Sequence, residues 1–141
     1  MALTSRTEAR RLVLQALYAA ETGDGADLDY VTILSEDDSA DERTLQFAHA
    51  LFERTRREET WADEVISGLA HNWRLERIAL IDRLILRMAM VEMKEFPDTP
   101  LKVVLNEAIE LAKRYSTAES SGFINGILDS FVKSRPEISG A

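Results

Sequence analysis

Cysteine is absent from this sequence, which excludes disulfides, thiolate nucleophiles, iron–sulfur clusters and every cysteine-based zinc site. Proline is scarce: all three prolines fall after position 96, so the chain before them carries few obligatory breaks. No apolar run approaches the roughly 20 residues that cross a bilayer, and the opening MALTSRTEAR lacks the apolar stretch of a secretory signal, so a cytoplasmic protein with no membrane contact is expected. Also missing are a G-x-x-x-x-G-K-S/T loop, a strand-linked G-x-G-x-x-G and a G-x-S-x-G elbow. His49 and His71 stand on separate expected helices without acids at metal spacing, and read as packed or surface residues rather than ligands or general bases. Neither catalytic residue, metal nor cofactor is expected, and an enzyme is disfavoured.

What is present suits one globular domain: 141 residues, 45% hydrophobic and 30% charged. The net charge of -8 is local in origin. Residues 21–42 hold nine acids and no Lys or Arg, whereas residues 1–20 hold three arginines against one glutamate. An acidic whole therefore leaves room for a nucleic-acid surface elsewhere.

Helical periodicity recurs between caps throughout. Ser5 with Glu8 is a capping box for a first helix to about Glu21, with Ala9, Leu12, Val13, Ala16, Leu17 and Ala20 as its apolar stripe, ended by Gly23 and Gly25. A short helix over 27–35 places Leu28, Val31 and Leu34 inward. Ser39 with Glu42 starts a third, with Leu45, Ala48, His49 and Phe52 inward, and Thr60 with Asp63 starts a fourth. After an interruption at Asn72-Trp73-Arg74, residues 78–93 are apolar enough for a nearly buried central helix. Thr99 as cap and Pro100 at the first turn launch a helix to Tyr115, and Ser116 with Glu119 caps the last one, ahead of Pro136. Gly122 and Gly126 suggest close helix packing, and Trp61 and Trp73 read as packing anchors. No strand pattern occurs. The expected fold is all-α, about seven helices in two packed bundles, a single domain 1–141 with helical subdomains of about 1–72 and 73–135.

The first helix carries the most informative face. At 100° per residue its core stripe leaves Thr7, Arg11, Leu14, Gln15 and Tyr18 together on the opposite side, flanked by Arg6 and Arg10. Guanidinium groups hold phosphates, an aromatic ring stacks on a base and an amide reads a base edge, so this mixture suits single-stranded RNA. Taken alone the signal is weak, since a solvated helix face with one half-exposed tyrosine is common. The helix over 100–115 presents Lys102, Asn106 and Lys113 on an outer stripe, with Glu110 and Arg114 spaced as an ion pair; it is either a solvated face or a docking face for a polyanion or partner. Exposed apolar positions such as Leu14 leave a homodimer open.

Four segments share one resemblance: Arg10 with Gln15-Ala16-Leu17-Tyr18; Trp73-x-Leu75-Glu76-Arg77-Ile78-x-x-Ile81-Asp82-Arg83-x-Ile85-Leu86-Arg87-x-Ala89-x-x-Glu92; Pro100-x-x-Val103-x-Leu105-Asn106-Glu107-Ala108-Ile109-Glu110-Leu111-Ala112-Lys113; and Phe123-Ile124-Asn125-Gly126-Ile127-Leu128-Asp129. In order and spacing they resemble the bacterial transcription antitermination factor NusB family. The resemblance implies two helical bundles without catalysis, binding to boxA-type single-stranded RNA in nascent transcripts, notably rRNA operon leaders, and a heterodimer with a small-subunit ribosomal protein that doubles as an elongation factor, within the RNA polymerase antitermination complex. It places Arg6, Arg10, Gln15 and Tyr18 on the RNA side, with Glu119 and Phe123 nearby, and Asp82 at the partner interface. Arg11 and Lys113 join the RNA-facing set from the helix faces above. Thr7 and Glu8 interrupt the arginine cluster that the family often opens with, so non-specific RNA affinity should be low. Two alternatives stand beside this reading: the NusB-like domain of an rRNA methyltransferase without its catalytic part, and a helical adaptor that binds only protein.

Overall fold

The computed structural model describes residues 2–23, 28–36, 39–71 and 74–139. Among them are β1 (Ala2–Leu3), α1 (Arg6–Thr22), α2 (Tyr30–Ser35), β2 (Ser39–Ala40), α3 (Glu42–Arg57), α4 (Glu59–Leu69), a 3-10 turn (Leu75–Arg77), α5 (Leu80–Glu95), α6 (Leu101–Tyr115), α7 (Ala118–Lys133) and the single turn α8 (Pro136–Ser139). The all-α class holds, with one addition: β1 and β2 pair in parallel, Ala2 with Ser39 and Leu3 with Ala40. Runs this short carry no alternation to read. The expected roles of Gly25, Asn72, Trp73 and of Asp24, Asp27, Asp37 and Asp38 fall outside the described residues.

Two compact units divide the chain, residues 1–57 and 58–141. The division falls well before the expected boundary near 72, because α4 packs on α5 and α7 and so belongs with the second unit.

In the first unit, α1 packs against both α2 and α3. The strand pair precedes both long helices and brings their starts to the same end. Ser5 caps α1 by accepting from the Glu8 N–H (3.2 Å), a bond worth about 1 kcal/mol. The Glu8 carboxylate does not complete the box; it turns to Arg11 at 2.9 Å. Ser39 lies in β2 and does not cap α3; instead Asp41 accepts from the Arg43 N–H at 3.0 Å. The buried side of α3 is Thr44, Phe47, Ala48, Leu51 and Thr55, rotated from the expected Leu45, Ala48, His49 and Phe52. Threonines at both ends of that stripe hide it from an apolar template. On α2, Val31 is buried while Leu34 is exposed, as is Leu28 ahead of the helix, although both were expected inward.

The second unit is built around α5, which is buried from Leu84 through Met93. α6 and α7 pack against each other and against α5. Asp63 does not form the expected cap for α4. It accepts a two-pronged contact from buried Arg87 of α5, Nε at 2.7 Å and Nη2 at 2.8 Å. Trp61 of α4 sits edge-on to Phe131 of α7 at 6.0 Å, with the Lys94 ammonium 3.8 Å from its ring centre, an anchor of the kind its residue type suggests. Helix α6 starts one residue later than expected, with Pro100 at the cap position and accepting from the Val103 and Val104 N–H groups. Glu110 pairs with Lys113 at 3.6 Å, not with Arg114, whose guanidinium lies 5.5 Å from the Tyr115 ring centre. Ser116 ends α6 and leaves the N-terminus of α7 to Thr117. Gly122 and Gly126 are both exposed, and a Cβ at either would meet nothing within 4 Å. Among the described residues nothing packs against them, which corrects the close packing expected there.

Candidate nucleic-acid interface

Because α1 has two helical neighbours, its buried arc is wider than a single core stripe. Ala9, Arg10, Leu12, Val13, Leu14, Ala16 and Leu17 are all buried, an arc of about 200° at 100° per residue. The remaining arc exposes Thr7, Gln15, Tyr18 and Thr22, with Arg11 partly covered among them, and Arg6 and Glu21 are exposed near the two ends of the helix. Tyr18 is 44% exposed. Leu14, expected on this face, is buried, which removes the exposed apolar position read as a route to a homodimer.

The three arginines separate into three situations. Arg6 is exposed and its guanidinium carbon lies 4.3 Å from the Phe47 ring centre. Arg10 is 3% exposed and sits over the same ring at 5.4 Å, so it is not the outward phosphate contact expected. Arg11 is bound to Glu8, which offsets its charge. The outward arc is therefore aromatic and polar, the exposed cation Arg6 stands at the helix start beside it, and Phe47, a residue not singled out from sequence, is the platform on which two of the arginines rest. Its helical spacing to Leu51 was the available signal.

The second unit brings together residues expected in different roles. Asp82, in the first turn of α5, accepts from Ser116 Oγ at 2.7 Å and from Ser120 Oγ at 2.8 Å, one serine on each carboxylate oxygen. Ser120 Oγ lies a further 2.9 Å from Thr117 Oγ1. This network ties the start of α5 to the link between α6 and α7. Asp82 is thus a buried, satisfied group, not an exposed partner contact. It floors a depression of about 310 Å³ whose rim includes Arg77, Ile78, Glu119 and Phe123. Lys113 stands apart from that rim, exposed on α6. Ser116 and Ser120 are the residues missed here; their place beside Asp82 depends on a turn that no local pattern announces.

Among the described residues no group of His, Asp and Glu could hold a metal ion, and no helix is long and apolar enough to cross a membrane. The NusB family model matches residues 7–133. The chain belongs to the NusB family. It is 43% identical over 131 residues to the transcription antitermination protein NusB of Salinibacter ruber, covering 92% of this chain and 82% of that protein. It is 42% identical over 134 residues to the protein of the same name from Elusimicrobium minutum, covering 93% and 95%. The solved structure of T. maritima NusB superimposes with a TM-score of 0.81 at 35% identity, covering 94% of this chain and 93% of that one. The NusB match takes in the outward arc of α1 and the depression around Asp82, and begins one residue after Arg6.

Proposed function

We propose that this protein acts in transcription antitermination by binding a boxA-type single-stranded RNA in nascent transcripts, notably rRNA operon leaders, as a heterodimer with a small-subunit ribosomal protein within the RNA polymerase complex. The work is binding in the cytoplasm, with no chemical step. The outward arc of α1 carries this reading: Tyr18 offers an exposed ring for stacking and Gln15 an amide for a base edge, while Arg6, exposed at the helix start beside that arc, offers a cation for a phosphate. Arg10 acts behind them by holding Phe47 beneath Arg6. Phe123 and Glu119, at the rim of the depression, form a second contact region, and Lys113 adds a charge on α6. Asp82 shapes that rim through its two serines.

Titration of a boxA-like RNA with and without the ribosomal partner tests the proposal. Weak binding alone and tighter binding as the heterodimer is the expected result, with the RNA tightening the protein pair by the same factor. A protein that binds the partner but leaves RNA affinity unchanged is an adaptor, and that result would overturn the RNA role.

A further inference from the structure

The depression around Asp82 has a fixed hydrogen-bond polarity. The Asp82 carboxylate can only accept, and it takes the Ser116 hydroxyl proton on Oδ1 at 2.7 Å and the Ser120 proton on Oδ2 at 2.8 Å. A hydroxyl has one proton, so both serines are spent as donors. Thr117 Oγ1, 2.9 Å from Ser120 Oγ, is then the donor of that pair. All three protons point inward along the network, and Ser116 and Thr117 offer a ligand only oxygen lone pairs. Glu119 adds its carboxylate oxygens at the rim, where Arg77 supplies the donors. Both are exposed, and neither side chain has a partner among the described residues. Ile78 and Phe123 form an apolar wall, and the volume of about 310 Å³ lies at the low end of small-ligand sites.

A base splayed from a single strand is held by stacking on an aromatic ring and by hydrogen bonds to its edges. Guanine matches the polarity here. It carries N–H donors along one edge, for the acceptors, and the O6 and N7 acceptors along another, for a guanidinium. Uracil would set carbonyl oxygens against the acceptors. A basic side chain of a protein partner would meet Arg77, and an acidic one would meet Glu119 and Asp82. We infer that the depression is a one-base subsite selective for an unpaired guanine, with Glu119 reading its N–H edge, Arg77 its O6/N7 edge and Phe123 stacking on its face. This subsite rests on the RNA role proposed for the rim, to which it adds Arg77 and a base preference.

The test titrates the full chain with fluorescein-labelled boxA-like RNA in which each guanine in turn is replaced by inosine, which lacks the N2 amine, or by 7-deazaguanine, which lacks N7. At one guanine, either replacement should weaken binding by about fivefold or more. Glu119→Ala should erase the inosine effect there and keep the 7-deaza effect; Arg77→Ala should do the reverse. A merely structural role for either residue would lower affinity for every RNA alike and leave both ratios in place, which would overturn the inference. Both side chains are exposed, so unchanged melting temperatures are expected. Tyr18→Ala should weaken every RNA and preserve both ratios. RNA binding that depends on Tyr18 but ignores every guanine replacement would remove the subsite and leave the RNA role standing. Absence of RNA binding, alone and as the heterodimer, would remove both. Amide shifts over residues 116–123 with the ribosomal partner, and none with RNA, would give the depression to a protein side chain and also overturn the inference.

Discussion

Arg6 and Arg10 touch one ring from opposite degrees of exposure, and their substitutions should separate accordingly. Arg10→Ala removes a buried side chain from over Phe47 and is expected to lower stability by about 1–3 kcal/mol, seen as a fall in melting temperature. Arg6→Ala should leave melting nearly unchanged while lowering the salt slope of RNA binding by about 0.7, one phosphate contact on a single strand. Tyr18→Ala is expected to weaken RNA binding by about 1–3 kcal/mol with little loss of stability; an RNA affinity that ignores Tyr18 would remove α1 from the interface. The sequence made Tyr18 and Gln15 legible because helical phase alone places them opposite Ala9, Val13 and Ala16. It could not separate Arg10 from Arg6, since phase gives direction but not how many neighbours a helix has, and the second neighbour of α1 is what covers Arg10 and Leu14.

Helices α4 and α5 are joined by charge at a place where the expected chemistry was capping. Asp63 clasps Arg87 between α4 and α5, and Arg87 is buried. Asp63→Ala takes from that guanidinium its two-pronged acceptor, leaving the Glu59 carboxylate 4.0 Å away, and should cost about 3 kcal/mol in urea unfolding. At the start of α2, Asp29 accepts from the Thr32 hydroxyl at 2.6 Å and from the Thr32 N–H at 3.1 Å. The Thr32 hydroxyl above all holds its carboxyl below the ordinary Asp range, with the Thr32 N–H and His49 acting the same way and burial opposing them. A folded pKa lowered in this way gives α2 a support that is complete above the ordinary Asp value of about 3.9 and lost as pH falls through the lower folded value. Amide shifts across α2 should therefore report its loosening in acid, and Asp29→Asn, which keeps a capping oxygen, should abolish that pH dependence. Apolar stripes and proline placement made α5, α6 and α7 readable to within a few residues. The side chains that bridge helices were not, because Ser5, Ser39, Ser116 and Thr60 all look like caps in isolation and only Ser5 is one.

Both units carry a net negative charge: the first has seven Lys and Arg against eleven Asp and Glu, the second ten against fourteen. RNA binding by the protein alone should accordingly respond weakly to salt. With two phosphate contacts the slope of log K against log salt is about -1.4, and a slope steeper than about -3 would demand phosphate contacts beyond those of Arg6 and Lys113. The strand pair has a kinetic counterpart. Joining Ala2 to Ser39 closes a long loop for the return of two residues of ladder, so the entropy of closure is recovered only after α1 and α3 have docked. Leu3, fully buried in that pair, should then report a late event. Leu3→Ala is expected to speed unfolding in stopped-flow chevrons while leaving the refolding rate almost untouched, a φ-value near zero. The ladder thus behaves as a latch on the escape route from the folded state: it lengthens the native lifetime without guiding the chain toward it.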